Sequence, residues 1–131
     1  MSNLDYKKHK TFFLLLKTAY QKKQKFFIYP ENNPTLLVIL KKLQEKSFIL
    51  GYFPRSLSEI QIFLRYDMQS FPAINHLFLF PKSRYASTKI LKAVTNDYPF
   101  SFSLLHTQFG ILDINECQKK NCGGEFIVTI R

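Results

Sequence analysis

The residues best suited to covalent or metal chemistry are two cysteines near the end of the chain. Cys117 and Cys122 are separated by four residues, and His106 is the nearest histidine. A structural metal site needs four ligands at recognisable spacings, and a catalytic thiol needs a motif around it. Neither pattern is present, so we expect ordinary thiols, no metal and no cofactor. The alternative, an enzyme that uses either cysteine as a nucleophile, requires a lowered thiol pKa.

Other catalytic patterns are also missing from the sequence. The 9 Asp and Glu residues are scattered and form no pair suited to general acid and base catalysis. Gly110, Gly123 and Gly124 match neither of the common phosphate-binding loops. The sequence therefore predicts a protein that is not an enzyme, with no catalytic residue and no small-molecule substrate.

The chain is strongly basic. Its 131 residues include 19 Lys and Arg against 9 Asp and Glu, a formal net charge of +10, and most of the surplus lies in residues 1–46. Such an excess favours a polyanionic partner, either nucleic acid or an anionic membrane surface. Because 46% of the residues are hydrophobic, the chain can also bury a core, which excludes disorder throughout.

Two segments combine cationic and aromatic side chains, as RNA-binding proteins do for phosphate contacts and base stacking. One lies within residues 22–29, and the other is the loop with Lys82, Arg84 and Tyr85. Together with the net charge they favour RNA as the partner. The alternative is a free-standing basic RNA-binding protein, or one that docks on an anionic membrane through a lysine-rich N-terminal helix.

Periodicity and turn chemistry predict the elements of the first half. Apolar residues at helical spacing over 5–23 predict an amphipathic helix with a lysine face. Residues 25–29 predict a strand, and Asn33 before Pro34 predicts the start of a helix that ends near residue 45. Strands at 48–53 and 59–66 complete an N-terminal α/β lobe over residues 1–67, which a linker follows.

The second half predicts more strands. Residues 74–80, 100–104 and 125–131 have strand composition, and Ser87 is placed to cap a short helix through residue 94. These elements predict a β-rich C-terminal lobe over residues 73–131. The predicted fold class is α+β with two small lobes, an N-terminal helix–strand–helix–hairpin lobe and a C-terminal strand-rich lobe with short helices.

No segment of the sequence predicts membrane insertion. The longest apolar runs, residues 12–16 and 36–40, are far shorter than the roughly 20 residues of a transmembrane helix. The start of the chain has neither the cleavage site of a secretory signal nor the composition of an organelle transit peptide. We therefore expect no cleaved targeting segment.

Residues 106–130 carry the most specific pattern in the chain. They contain Gly110 and Asp113, a short predicted helix, and then Gly123-Gly124-Glu125 before a final strand. This segment resembles the C-terminal signature of the small-subunit ribosomal protein eight family, Ser-Thr-Ser-x-Gly-x-Met-Thr-Asp, a helix, Gly-Gly-Glu and a strand. The spacing agrees without a gap from Gly110 to Glu125. Residues 43–49 also resemble the family's Leu-Lys-x-Glu-Gly-Phe-Ile segment.

The sequence departs from the family pattern inside this segment. Only Thr107 remains of the Ser-Thr-Ser loop. The helix nevertheless keeps both of its ends, because Asp113 and Glu116 predict a capping box and Asn121 predicts a left-handed residue after the helix. We therefore expect the structural role of the segment to be preserved.

The resemblance implies a structural protein of the small ribosomal subunit. Such a protein would bind the central domain of the small-subunit rRNA, support assembly and translation, and contact neighbouring small-subunit ribosomal proteins. The family's RNA surface lies mainly in the second lobe. Carried onto this sequence, its positions are Lys82, Arg84, Tyr85, His106, Thr107, Gln108, Gly123, Gly124 and Glu125.

Residue usage bears on the compartment. Lys greatly outnumbers Arg, and Phe, Tyr, Ile and Asn are abundant, which is the bias expected from AT-rich codons. This bias, the departure from the family pattern and the absence of a presequence are typical of an organelle gene. We therefore predict the mitochondrial matrix, in the small subunit of the mitochondrial ribosome, with a plastid or the bacterial cytoplasm as alternatives.

Overall fold

A computed structural model describes the backbone of residues 3–79 and 85–131, and the side chains of residues 9–79 and 85–131. Lys82 and Arg84, in the predicted basic loop, lie outside these residues. Residue contacts divide the chain into two units. The N-terminal unit is Phe12–Asn75, and the C-terminal unit is His76–Arg131 with the start of the chain through Thr11.

The first helix, α1 (Asn3–Gln21), is amphipathic as predicted. In the N-terminal unit an apolar stripe at helical spacing is buried, while Leu14, Leu15 and Lys17 outside this stripe are exposed. Burial of this stripe is what holds the helix to the unit, since helices of this length gain most of their stability from packing. The buried side chains are Phe12, Phe13, Leu16, Ala19 and Tyr20.

A strand, β1 (Phe26–Tyr29), leads to the second helix, α2 (Pro34–Glu45). The Oδ1 atom of Asn33 accepts a hydrogen bond from the backbone N–H of Leu36 at 2.8 Å, and Pro34 takes the first helical position. Both features confirm the predicted cap. The buried face of α2 is aliphatic and consists of Leu36, Ile39, Leu40 and Leu43.

The predicted hairpin is formed by β2 (Gly51–Pro54) and β3 (Ile60–Phe63). The strand order is β1-β3-β2, with both pairings antiparallel. β2 begins later than residue 48, because Ser47 has a φ of 62° and the N–H of Phe48 bonds back to the Leu43 carbonyl at 2.9 Å. This turn completes the end of α2 before a strand can start.

Residues 67–72, predicted as a linker, form a closed loop. The carboxylate of Asp67 accepts hydrogen bonds from the backbone N–H groups of Gln69 at 2.9 Å and Phe71 at 2.8 Å. Tyr66 and Pro72 form an antiparallel bridge across the base of the loop. A single aspartate thus satisfies the backbone donors that the turn exposes.

The C-terminal unit is built on one antiparallel sheet whose strands differ in length. Its order is β4-β8-β6-β7, and β5 also pairs with β8. The two helices pack with the sheet around a core that includes Leu91, Leu105, Cys117 and Phe126. The elements are β4 (Leu77–Leu79), β5 (Tyr85–Ala86), α3 (Thr88–Asp97), β6 (Phe102–Thr107), β7 (Gly110–Asp113), α4 (Ile114–Lys119) and β8 (Gly124–Ile130).

The predicted α+β class is confirmed, but one detail of the C-terminal unit differs from expectation. The interpretation of residues 106–108 as a loop is wrong for its first part, because β6 continues through Thr107 and pairs with β7. A register shift between Leu104 and Leu105 interrupts the alternation along β6. Buried residues therefore follow one another without the alternation that is typical of a strand. For this reason the sequence predicted neither the full length of β6 nor the hairpin that follows it.

Among residues 3–79 and 85–131, none of the helices combines the length and the apolar composition that crossing a bilayer requires.

Candidate nucleic-acid interface

The C-terminal unit has a surface concavity of about 590 Å³ where β5, the end of β6 and the start of β8 meet. Three separate stretches of the chain contribute to its wall, and the first of them includes the first residue of α3, Thr88. The lining residues are Tyr85, Ser87, Thr88, His106, Thr107, Gln108, Asn121, Cys122, Gly123, Gly124 and Glu125.

Seven of the nine predicted RNA-contact residues line this one concavity. The pairing of β6 with β8 sets His106 opposite Glu125, and the pairing of β5 with β8 sets Tyr85 opposite the same glutamate. The sheet thus brings together stretches that are far apart in the sequence. The other two predicted residues, Lys82 and Arg84, lie outside the described part of the chain.

Gly123 and Gly124 allow strands to approach closely at the floor of the concavity. A Cβ atom on Gly124 would lie 2.7 Å from the carbonyl oxygen of His106, and one on Gly123 would overlap the carbonyl oxygen of Ala86. Contacts this short involve backbone that cannot rotate away. The two glycines are therefore required by packing, and they leave backbone rather than side chains at the floor.

Thr107 determines the shape of the β6–β7 turn. Its hydroxyl accepts a hydrogen bond from the backbone N–H of Phe109 at 3.0 Å and donates one to the carbonyl oxygen of Gly110 at 2.9 Å. Only 5% of Thr107 is exposed, and Gly110 has a φ of 100°, a conformation that glycine adopts without strain. Thr107 therefore positions the exposed Gln108 at the edge of the concavity.

The short helix α4 leads the chain into the glycine pair. The carboxylate of Asp113 accepts a bond from the N–H of Glu116 at 2.8 Å, and the Glu116 carboxylate accepts from the N–H of Asp113 at 3.3 Å. Asn121 has a φ of 53°, and the N–H of Cys122 bonds to the Cys117 carbonyl at 3.0 Å. The predicted capping box and left-handed residue are both confirmed.

Four lining residues were not among the predicted contacts, namely Ser87, Thr88, Asn121 and Cys122. Two of them carried a signal in the sequence. Ser87 caps α3 as predicted, with its hydroxyl accepting from the N–H of Ile90 at 3.4 Å, and Asn121 is the left-handed residue that follows α4. Each cap adjoins a predicted contact segment, so capping chemistry marks residues that turn the chain at the wall of the site.

Comparison with protein-family models identifies the family to which this chain belongs. The family model described as ribosomal protein S8 matches residues 11–130, which is nearly the whole chain. The chain belongs to this family. No curated protein sequence matches it significantly. The family predicted from the C-terminal signature is therefore confirmed. The S8 family consists of small-subunit ribosomal proteins that bind rRNA, and it is not an enzyme family.

The two thiols of this S8-family protein are free and buried. Burial raises the pKa of the Cys117 thiol above its ordinary value, and the adjacent Cys122 raises it further. A thiol held in the protonated form is a poor nucleophile, because the thiolate is the reactive species. The direction of this shift is opposite to what the nucleophilic alternative requires. Among the described residues, no three His, Cys, Asp or Glu side chains are grouped to hold a metal ion.

A second concavity of about 580 Å³ adjoins the first in the S8-family chain. The two share Thr88 and Asn121, and the second also includes Lys89 and Lys92, which are exposed on one side of α3. Their spacing of three residues places both ammonium groups on the same face of the helix. The first concavity, which is rich in backbone and neutral polar groups, thus adjoins a basic surface formed by Lys89 and Lys92.

Proposed function

We propose that this chain is a non-catalytic component of a small ribosomal subunit that binds the central domain of the small-subunit rRNA through its C-terminal unit. In this role it supports assembly of the subunit by stabilising a junction of RNA helices. The proposal rests on one observation above the others. Residues from three distant stretches, which the sequence resemblance assigns to the family's RNA surface, line a single concavity.

The chemistry of the concavity suits RNA. Gln108, His106 and the backbone beside the glycine pair offer hydrogen-bond donors and acceptors for base edges and 2′-hydroxyl groups. Tyr85 is 69% exposed and offers a ring face for stacking. Lys89 and Lys92 lie alongside, where they would contact the phosphates of the same RNA. We propose that Lys82 and Arg84 add to this cationic surface.

A direct test is binding to a transcribed fragment of the cognate rRNA central domain, compared with a fully paired RNA of equal length. We expect the central-domain fragment to bind far more tightly at moderate salt. The variant Gln108→Ala should weaken binding to this fragment without lowering thermal stability. Equal affinity for both RNAs would reduce the protein to a non-specific polyanion binder and contradict the proposal.

We further propose that the ribosome is mitochondrial, because of the codon bias in the residue usage and the departures from the family pattern. Lysates of purified mitochondria, separated on a density gradient, test this. The protein should migrate with the small subunit and leave it only at high salt. Recovery with plastid or bacterial small subunits, and not with mitochondrial ones, would overturn this assignment while leaving the rRNA-binding proposal in place.

Membrane docking through α1 is a weaker candidate. The apolar stripe of this helix, which a peripheral helix would insert into lipid, packs into the N-terminal unit through residues such as Phe13 and Leu16. Co-sedimentation with anionic vesicles distinguishes the two functions. Strong vesicle binding in the absence of any rRNA affinity would favour the membrane over the ribosome.

A further inference from the structure

The tip of the β6–β7 hairpin presents an aromatic ring in a defined position. Phe109 is 53% exposed, and its backbone N–H donates to the hydroxyl of Thr107 at 3.0 Å. The same hydroxyl donates to the Gly110 carbonyl at 2.9 Å, so the turn is tied on both sides of Phe109. The ring is therefore carried by a braced turn and is only half covered by protein.

A cation lies against this ring. The Nζ atom of Lys120 is 5.0 Å from the centroid of the Phe109 ring, within the range of a cation–π interaction. The backbone of Lys120 is held as the C-cap of α4, where its N–H bonds to the Glu116 carbonyl at 3.0 Å. Both partners are thus attached to ordered elements, and half of the Phe109 surface stays accessible.

The pair stands at the rim of the concavity. Gln108 and Asn121, the chain neighbours of Phe109 and Lys120, both line it. Exposed phenylalanine beside lysine, glutamine and asparagine differs from the core of a protein–protein interface, where lysine is depleted. Aromatic rings flanked by cations are what proteins use to stack unpaired bases, since every base has a π face.

From this geometry we propose that Phe109 is a stacking platform for an unpaired base of the bound rRNA, and that Lys120 contacts a phosphate of that nucleotide. The inference rests on the proposed rRNA-binding function and names the feature of the RNA that the rim recognises. A base within a continuous A-form helix has both faces covered by its neighbours, so only an unpaired or extruded base can reach the ring. The ammonium of Lys120 keeps donors for a phosphate while it lies against Phe109.

The test compares variants of Phe109 in the full chain for affinity to the transcribed central-domain fragment. Phe109→Ala should weaken binding about 5- to 150-fold, the range expected when one stacked base loses its ring. Phe109→Trp should bind within a few-fold of the unmodified chain, whereas Phe109→Leu should lose nearly as much as the alanine variant. Phe100→Ala removes a phenylalanine that is 97% exposed in the same unit and serves as the matched control.

Two further measurements separate stacking from a general loss of charge or fold. Lys120→Met should reduce the slope of log affinity against log salt by about one phosphate contact, while Lys119→Met should change it less. Ultraviolet crosslinking should join the peptide that contains Phe109 to a nucleotide that is unpaired in the RNA. Thermal midpoints should be unchanged in all of these variants, since each replaced side chain is exposed.

The outcomes distinguish this inference from the function on which it rests. If the unmodified chain binds the fragment tightly and Phe109→Ala or Phe109→Leu binds equally well, the stacking platform is wrong and the rRNA-binding proposal stands. Crosslinks confined to paired nucleotides lead to the same conclusion. If the unmodified chain shows no preference for the fragment, both proposals fail together.

Discussion

At the scale of single residues, the close approach of neighbouring backbone restricts positions 123 and 124 to glycine. The nearest neighbours of a Cβ atom at Gly123 or Gly124 would be carbonyl oxygens of adjacent strands, and the side chains of Tyr85 and Thr107 lie only slightly further away. A carbonyl in a sheet cannot move without breaking its hydrogen bonds. The sequence resemblance marked these positions as RNA contacts, and the structure adds that they are needed for the strands of the site to meet.

We expect Gly124→Ala to destabilise the protein by about 1–3 kcal/mol, the usual cost of forcing an extra methyl group into a filled space. Gly51→Ala is the matched control, because a Cβ at Gly51 would meet only a side-chain amide nitrogen at 3.7 Å, an ordinary contact. Urea denaturation measures both. A control that loses as much stability as Gly124→Ala would show that the close approach is not the cause.

Cys117 gives a prediction with a pH dependence. Burial raises the pKa of its thiol in the folded state, so the unfolded chain loses this proton first as the pH rises. The stability that depends on the neutral thiol is therefore present at neutral pH and falls as the pH increases beyond the ordinary thiol range, about 8.5. In Cys117→Ala, the fall in the urea midpoint between neutral and alkaline pH should be smaller.

Alkylation tests the same thiol directly. At neutral pH, native Cys117 should react with iodoacetamide far more slowly than free cysteine, and urea should restore the ordinary rate. Peptide mass mapping assigns the modified residue. A native rate equal to that of free cysteine would show that burial does not protect this thiol, and only a rate above that of free cysteine would support the nucleophilic alternative.

At the scale of elements, α4 depends on its caps because it is short. A helix of six residues has few internal hydrogen bonds. The reciprocal bonds between Asp113 and Glu116 therefore contribute much of the stability of its first turn. The end of α4 passes through Asn121 directly into the glycine pair. Loss of the cap should therefore disturb the wall of the concavity as well as the helix.

Asp113→Ala should cost about 0.5–2 kcal/mol, the range for removing an N-cap side chain, and it should also weaken binding to the rRNA fragment. Glu116→Gln keeps a side-chain oxygen that can accept from the N–H of Asp113, so its stability should stay close to that of the unmodified chain. Urea denaturation and fragment binding check both variants. An unchanged midpoint in Asp113→Ala would show that packing alone holds α4.

At the scale of the whole molecule, the surplus of positive charge has two different parts. Most of it lies in residues 1–46, where lysines such as Lys17 and Lys41 are exposed on helices and are not among the residues that line the two concavities. The smaller part includes Lys89 and Lys92, which adjoin the concavity itself. General attraction to RNA and local phosphate contact should therefore be separable by mutation.

We expect the double variant Lys89→Ala/Lys92→Ala to weaken binding to the rRNA fragment and to shallow its salt dependence by about one unit per lost phosphate contact. The sequence predicts the same effect for Lys82→Ala/Arg84→Ala. Lys17→Ala/Lys41→Ala removes the same charge and should change the slope less. If all three doubles shift the slope equally, only net charge matters; an unchanged slope for one pair removes that pair from the RNA surface.

The sequence by itself determined the features that local chemistry specifies. The caps at Asn33, Ser87 and Asp113, the left-handed residue at Asn121 and the amphipathic first helix all depend on neighbours within a few positions, so they could be predicted from spacing. The order of residues in the C-terminal signature was likewise enough to identify the family. Strand limits were less predictable, because the end of a strand depends on its partner.

Only the tertiary structure decided how the site is assembled. The register of β8 against β5 and β6 joins Tyr85, His106 and Glu125, and the irregularity at Leu104 and Leu105 concealed the strand that carries one of them. The basic neighbours of the concavity come from α3, which packs against α4, and the cation over Phe109 comes from the end of α4, which packs against β6 and β7. Pairing between distant strands has no local signature, since it is selected by packing over the whole unit.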